Sequence, residues 1–178
     1  MTKDIQVITG CMFAGKTTEL LNRIKNANKT YLLVKPKTDV RNSGNRLTTH
    51  DGIGAKAITV DKLSDIFNKL DGIKIVAIDE AQFFNNTIIK DIQYLISKEI
   101  TLIIAGLDRD YLNQSFGPMQ QIIKISNSVT RLKAICNQCQ GDAYYSHRIK
   151  SSKSQILIGD SNHYEALCEK CFKKTVKT

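Results

Sequence analysis

Four short apolar segments recur along the first two thirds of the chain and predict the strands of a β-sheet. They lack a strict alternation of polar and apolar positions, which is typical of parallel strands buried on both faces. Amphipathic stretches separate them, and this alternation indicates an α/β fold with right-handed crossovers. The predicted strands are Ile5–Thr9, Tyr31–Val34, Ile75–Asp79 and Leu102–Ala105.

Three of the intervening stretches place apolar residues three and four positions apart, the spacing of one helix face. The predicted helices are Thr18–Ala27, Lys62–Leu70 and Thr87–Ser97. We expect Asp61 to cap the second helix, because an aspartate at that position can accept a hydrogen bond from the first turn. The segment Arg41–Gly54 is rich in asparagine and glycine and predicts a long mobile loop.

The pattern changes at about Lys133, where two CxxC pairs bracket aromatic and apolar stretches. We predict an α/β domain over residues 1–132 and a smaller domain over 133–178, a β-ribbon and loop closed at its base by metal. Four thiolates in two such turns fit a closed, structural zinc site, and unliganded reduced thiols are the alternative. The candidate ligands are Cys136, Cys139, Cys168 and Cys171.

Composition narrows the class of protein. The 178 residues suit one globular domain with a small appendage, and no apolar run is long enough to cross a bilayer. The first residues lack a signal-peptide pattern, and the paired cysteines suit a reducing compartment, so we expect a cytoplasmic protein. The net charge of +9 suits either a nucleic-acid partner or phosphate-bearing substrates. Without a basic stripe carrying interleaved aromatics, we expect no nucleic-acid partner.

The segment from Gly10 to Thr17 matches the phosphate-loop pattern GxxxxGKS/T, and it follows a predicted strand and opens a predicted helix. Backbone amides of such a loop cradle phosphates with the help of the helix dipole. Lys16 would reach the β- and γ-phosphates, and Thr17 would ligate Mg²⁺. The alternative is a glycine-rich turn that binds nothing.

An acidic motif ends the predicted strand that begins at Ile75. Asp79 ends an apolar strand, which is the pattern of the second magnesium-holding residue of P-loop enzymes. Glu80 follows at once, and a carboxylate there can accept a proton from an attacking hydroxyl. The alternative for Glu80 is a solvated residue at a strand end.

The remaining candidate groups carry weaker signals. Cys11 lies inside the phosphate loop and is better explained as a small packing residue than as a nucleophile. His50, His147 and His163 have no ligand spacing and no paired acid, so we expect surface or hydrogen-bonding roles.

Taken together, these motifs resemble the thymidine kinases of the small, tetrameric, zinc-containing type over nearly the whole chain. The resemblance lies in Met12-Phe13 within the phosphate loop, Asp79–Phe84, Gly106–Tyr111, Phe116-Gly117 and the two CxxC pairs with Tyr164 before the second. Two positions depart from the family pattern: Cys11 replaces the usual proline and Ala14 the usual serine. Replacement of the serine by Ala14 removes at most one hydroxyl contact, because the loop works mainly through its backbone.

The resemblance implies a core related to the ATP-binding domain of recombinases and a zinc-bound lasso that closes over a nucleoside. It implies Glu80 as catalytic base, assisted by Lys16 and by Arg41, and magnesium on Thr17 and Asp79. The implied ATP and phosphate contacts are Gly10, Cys11, Met12, Phe13, Ala14, Gly15, Lys16, Thr17, Thr18 and Asp39. The implied nucleoside contacts are Met12, Phe83, Leu107, Tyr111, Phe116, Ser146, Ile158, Gly159 and Tyr164.

The function that this resemblance implies is transfer of the γ-phosphoryl group of ATP to the 5′-hydroxyl of thymidine or deoxyuridine, for salvage of deoxynucleosides in DNA synthesis. It also implies a homotetramer and feedback inhibition by dTTP. Two other classes remain open: a nucleic-acid-stimulated P-loop ATPase, and a zinc-stapled nucleotide-binding regulator without turnover. A kinase must exclude water from the γ-phosphate, which a tethered loop can do, so the pattern favours the kinase.

Overall fold

A six-stranded parallel sheet forms the centre of the protein. The computed structural model describes residues 4–38, 46–48, 54–149 and 162–175. The sheet has the order β5-β2-β6-β7-β1-β8, and every neighbouring pair is parallel. This confirms the predicted parallel α/β fold. The first eight strands are β1 (Ile5–Gly10), β2 (Tyr31–Pro36), β3 (Arg46–Thr48), β4 (Gly54–Lys56), β5 (Ile58–Val60), β6 (Ile75–Ile78), β7 (Thr101–Gly106) and β8 (Ser128–Leu132).

Helices cover both faces of the sheet, which explains why its central strands are apolar without alternation. On one face α1 (Lys16–Ala27) buries Leu20 and Ile24 against the strands. On the other face lie a 3₁₀ helix (Leu63–Lys69), α2 (Ile88–Ser97) and α3 (Met119–Ile125). Each face has its own apolar cluster, so the sheet is the middle of three layers.

Apolar periodicity missed the two outer strands of the sheet, β5 and β8. Every residue of β8 is exposed or half-buried, because an edge strand needs a less apolar sequence. Their places in the sheet come from pairing with β2 and β1. The predicted loop Arg41–Gly54 contains β3 and the first residue of its antiparallel partner β4, and the other residues of that loop lie outside the described residues.

The predicted cap at Asp61 is wrong. The second predicted helix is a 3₁₀ helix that begins after Lys62, and the Asp65 carboxylate accepts hydrogen bonds from the backbone amides of Asp61 and Lys62 at 3.2 and 3.0 Å. The Asp61 carboxylate instead accepts from Lys37 Nζ at 2.7 Å. A lysine after the neighbouring strand therefore competes for the side chain that the sequence assigned to the helix.

Beyond β8 the chain forms two small antiparallel pairs and a short helix. The pairs are β9 (Ala134–Ile135) with β10 (Asp142–Ala143), and β11 (Tyr145–Arg148) with β12 (Tyr164–Leu167). Helix α4 (Glu169–Thr175) follows. These elements bury their own apolar cluster, which includes Phe172 and also Cys11 from the phosphate loop. The division at residues 132 and 133 stays a prediction.

Within the described residues, no helix combines the length and the apolar character needed to cross a membrane.

Candidate active site and cysteine cluster

The carboxyl ends of three parallel strands bring the candidate residues to one edge of the sheet. The phosphate loop follows β1, Asp79 follows β6, and Leu107 follows β7. Because β7 lies between β1 and β6, residues after β7 lie between the phosphate loop and the acidic pair. A hydrogen bond from Thr9 Oγ1 to Asp108 Oδ1 at 2.6 Å joins the ends of β1 and β7.

The phosphate loop has backbone geometry that explains its glycines. Gly10 has φ of +148°, and a Cβ there would lie 2.4 Å from the carbonyl oxygen of Leu132, so a side chain is excluded. Gly15 is left-handed at the start of α1, and α1 begins at Lys16. The Lys16 ammonium donates to the Cys11 carbonyl at 2.8 Å, across the loop. The loop amides and this ammonium therefore surround the start of a helix, a favourable place for phosphates.

Asp79 is buried and bonded to the phosphate loop. Thr17 Oγ1 donates to Asp79 Oδ2 at 2.9 Å. Burial, and next the charge of Glu80, raise the pKa of Asp79 to about 7. A hydroxyl and a carboxylate are oxygen ligands of the kind that Mg²⁺ prefers, and a cation would offset the cost of a buried carboxylate. The donor set therefore fits a divalent metal.

Glu80 has an unusual backbone conformation, with φ of 53° and ψ of 41°. A non-glycine residue in this left-handed region costs about 1–3 kcal/mol, and such residues cluster at functional sites. Its carboxylate accepts a hydrogen bond from Nε2 of Gln82. Gln82 is buried, and its Oε1 accepts from the backbone amide of Leu107 at 3.0 Å. The sequence motif contained Gln82, but its pattern gave no role for it.

Several of the predicted nucleoside contacts lie near one another. The rings of Phe83 and Phe116 meet edge to face with centroids 5.7 Å apart. The backbone amide of Met12 donates to Ser146 Oγ at 3.0 Å, which joins the phosphate loop to β11. Leu107 is buried at the end of β7.

A buried arginine that the sequence did not single out connects two more of the predicted nucleoside contacts. The Arg148 guanidinium carbon lies 3.6 Å from the ring centroid of Tyr111, and its Nη2 donates to the Tyr164 hydroxyl at 3.0 Å. Arg148 is two residues beyond Ser146 on β11, and both are buried. The period of two along a strand could have placed it on the same face as Ser146.

The four paired cysteines form a cluster whose Sγ atoms all lie within 4.8 Å of one another. Cys139 Sγ and Cys168 Sγ are 3.6 Å apart. Tetrahedral zinc at about 2.3 Å from each sulfur would separate the sulfurs by about 3.8 Å, so the cluster fits a four-thiolate zinc site. The other two members are Cys136 and Cys171.

Cys11 behaves as the packing residue that the sequence predicted. Its side chain is 3% exposed and its Sγ donates to the carbonyl of Ala143 at 3.3 Å. Burial raises the pKa of its thiol, which disfavours the nucleophilic thiolate. With the Met12 contact, this bond docks the cysteine-bearing unit directly on the phosphate loop.

The structure describes some of the remaining predicted residues and not others. Phe13 lies beside Ala14 in the phosphate loop, and Thr18 lies in the first turn of α1. His147 has the hydrogen-bonding role expected of it, but the expectation that it has no paired acid is wrong, because its Nδ1 lies 2.9 Å from Glu165 Oε1 on the neighbouring strand. The residues that fall outside the described part of the chain are Asp39, Arg41, His50, Ile158 and Gly159.

A phosphate loop that opens a helix, bonded through its threonine to a buried aspartate at a neighbouring strand end, defines a P-loop nucleotide-binding protein. The sequence matches the thymidine kinase family over residues 3–172. The chain therefore belongs to the thymidine kinase family.

Three similar proteins, all named thymidine kinase, cover most of the chain. The protein from Porphyromonas gingivalis is 37% identical, over 96% of this chain and 85% of its own length. The protein from Mycoplasma mobile is 40% identical, over 94% and 86%. The protein from Bacteroides thetaiotaomicron is 38% identical, over 94% and 86%. Family membership implies ATP as a substrate and a divalent metal.

Proposed function

We propose that this protein is a thymidine kinase, which transfers the γ-phosphoryl group of ATP to the 5′-hydroxyl of thymidine to give dTMP and ADP. Deoxyuridine is a second substrate. The observation that carries the proposal is Glu80, which directly follows the aspartate that bonds the phosphate-loop threonine. The reaction places the chain in deoxynucleoside salvage for DNA synthesis.

The phosphate-binding step belongs to the loop. Backbone amides from Gly10 to Thr18 hold the phosphates, and Lys16 exchanges its bond to the Cys11 carbonyl for bonds to phosphate oxygens. Arg41 and Asp39 complete the phosphate contacts. Thr17 and Asp79 would hold Mg²⁺, which supplies neutralisation of the phosphate charge when bound.

Glu80 carries the proton transfer. Its carboxylate accepts the proton of the 5′-hydroxyl as that oxygen attacks the γ-phosphorus, and the bond from phosphorus to the bridging oxygen of ADP breaks in line. The proton ends on Glu80, and the negative charge on ADP is held by Lys16 and the loop amides.

Recognition of the base falls to residues of both units. Met12, Leu107, Tyr111 and Phe116 supply apolar surface, and Ser146 with Tyr164 supplies hydroxyls. The backbone at Ile158 and Gly159 reads the N3 edge of thymine, and Phe83, whose ring meets that of Phe116, also lines the pocket. Zinc on the four cysteines is structural, because four thiolates leave no open ligand position.

The proposal extends to assembly and regulation. A homotetramer that dTTP inhibits, located in the cytoplasm, fits the resemblance to the small zinc-containing type. The net charge of +9 then serves phosphate-bearing substrates and not a nucleic acid.

The test measures ADP release from ATP·Mg with thymidine alone and with DNA alone. We expect ADP and dTMP to appear in equal amounts with thymidine, and no stimulation by DNA. Stimulation of ADP release by DNA, without any phosphorylated thymidine, would replace the proposal by the rival ATPase.

A further inference from the structure

A buried glutamine links the proposed catalytic base to the strand beside it. Gln82 is 2% exposed and lies in a short 3₁₀ helix, Ala81–Phe83, that follows Glu80. Its Nε2 donates to Glu80 Oε2, and its Oε1 accepts from the Leu107 backbone amide at 3.0 Å. Both ends of one side-chain amide are therefore engaged.

The two partners fix which way the amide faces. The Leu107 N–H can only donate, so the glutamine atom facing it must be the oxygen. The nitrogen is then left for the Glu80 carboxylate, which when ionised can only accept. An ionised glutamate at position 82 could keep the bond to Leu107 but could not donate to Glu80.

Close packing keeps the amide in this place. A Cβ on Gly106 would lie 2.8 Å from Gln82 Oε1 and 2.8 Å from Met119 Sδ, so the end of β7 closes directly over the amide. Rotation of the amide away from Leu107 would leave a buried backbone donor unpaired, which costs about 1–3 kcal/mol. The hydrogen bond to Glu80 therefore comes from a rigid group.

We propose that Gln82 is a positioning residue, which holds the Glu80 carboxylate where it accepts the proton of the nucleoside 5′-hydroxyl. This inference rests on the proposed function of Glu80. The hydrogen bond from Gln82 Nε2 restricts where the Glu80 carboxylate can lie. The same amide accepts from Leu107, a predicted pocket residue, so both residues contact one buried group.

Two substitutions separate positioning from folding. Gln82→Met fills the space but removes both hydrogen bonds, and Gln82→Glu keeps the acceptor for Leu107 while removing the donor to Glu80 at a pH where both carboxyls are ionised. Displacement of a reacting group by about 1 Å can cost on the order of 10²-fold in rate, so we expect kcat to fall roughly 10- to 100-fold in both. KM for ATP should change by less than about twofold, since the phosphate loop is untouched. Gln120→Met is the matched control, because Gln120 makes only a 3.4 Å contact with the Asp108 carbonyl.

The decisive measurement repeats Gln82→Met in the Glu80→Gln background. Without a proton acceptor at position 80 there is nothing left to position, so kcat should fall by less than about twofold further. An equal loss in both backgrounds would mean a merely structural role and overturn the proposal. So would wild-type kcat in both Gln82 variants.

The outcomes also separate this inference from the proposed function. A wild-type protein that does not phosphorylate thymidine refutes the kinase itself. Normal kcat in Glu80→Gln refutes the base and its positioning together. Loss of kcat in Glu80→Gln with normal kcat in both Gln82 variants refutes the positioning role alone.

Discussion

At the residue scale, the candidate site depends on a few side chains whose neighbours come from distant parts of the chain. Asp79 and Glu80 are adjacent, yet they face different partners: Asp79 bonds the phosphate-loop threonine, and Glu80 bonds Gln82. This division matches the two roles proposed for them, a metal ligand and a proton acceptor.

Glu80→Gln tests the proton acceptor. The amide keeps the shape of the carboxylate but cannot take the proton, so kcat should fall about 10²- to 10⁴-fold, the usual contribution of a general base. ATP affinity should stay near the wild-type value, because Lys16 and the loop amides remain. Steady-state kinetics with isothermal titration of ATP measures both. Near-normal kcat here, with activity abolished in Asp79→Asn, would place the base elsewhere.

Arg148→Met tests the contacts that Arg148 makes with Tyr111 and with Tyr164. A desolvated cation over an aromatic ring is worth about 2 kcal/mol, which corresponds to roughly 30-fold in affinity. We expect KM for thymidine to rise about 10- to 30-fold and KM for ATP to stay unchanged. Lys98→Met is the control, since Lys98 lies 5.4 Å from the Tyr94 ring on the exposed surface of the protein. Equal effects of the two substitutions would argue against a pocket role for Arg148.

At the element scale, the unit of β9 to β12 and α4 depends on its cysteines. Its strands have two to four residues and its apolar cluster is small, so metal must supply much of its folding energy. Hydrogen bonds from Cys11 and Met12 join the unit to the phosphate loop.

Removal of one cysteine should therefore disorder this unit. We expect one zinc per chain in the wild-type protein and a large loss of zinc in Cys168→Ser, measured by elemental analysis. Thymidine affinity should fall more than ATP affinity, because Ser146 and Tyr164 belong to the unit while Lys16 does not. A folded, active chain with well below one zinc would contradict the prediction.

A second prediction at this scale concerns the hydrogen bond that joins the ends of β1 and β7, from Thr9 to Asp108. Burial alone would raise the pKa of Asp108, but hydrogen bonds from Thr9 and Arg131 and the charge of Arg131 outweigh it and hold the pKa below its ordinary value. A carboxyl with a lowered folded-state pKa stabilises the fold above the unfolded pKa, about 4, and loses that contribution as pH falls through the folded pKa.

Asp108→Asn should accordingly lower the free energy of unfolding at pH 7 more than at strongly acidic pH. Urea unfolding at a series of pH values measures this difference. The exposed Asp71 provides the matched control, Asp71→Asn. A pH-independent effect of Asp108→Asn would mean that neutral hydrogen bonding replaces the ion pair.

At the scale of the whole molecule, we expect the two units together to decide which nucleoside enters. Thymine and uracil share an N3–H donor between two carbonyl acceptors, and cytosine reverses the sense at N3 and at position 4. The resemblance implies that backbone groups at residues 158 and 159 read this edge, and such groups could not rotate to suit cytosine, so we expect rejection by about 10⁴- to 10⁵-fold.

The expected order of kcat/KM is thymidine, then deoxyuridine, with deoxycytidine and deoxyguanosine failing. The thymine methyl is worth about 1–3 kcal/mol, or roughly 10- to 200-fold, so deoxyuridine should remain usable. The four nucleosides are compared under one ATP·Mg condition. Comparable kcat/KM values for thymidine and deoxycytidine would contradict the assignment of thymidine as the substrate.

The elements and motifs that depend on neighbouring residues could be predicted from the amino-acid sequence alone. The central apolar strands and the helices between them follow from local periodicity, and the phosphate loop and the CxxC turns are contiguous in the chain. Such patterns can be predicted because the residues that form them lie within a few positions of one another in the chain.

Contacts between side chains that are distant in the chain could not be predicted in this way and follow from the fold. The pairing of β8 with β1, the bond from Gln82 to Leu107 and the contact of Arg148 with Tyr111 each join residues from separate elements. At Asp61 a distant contact overrides the local pattern. The pattern predicted a helix cap, but the carboxylate accepts a hydrogen bond from Lys37 at another strand end. Contacts of this kind depend on strand order and crossovers, and no local spacing in the sequence records them.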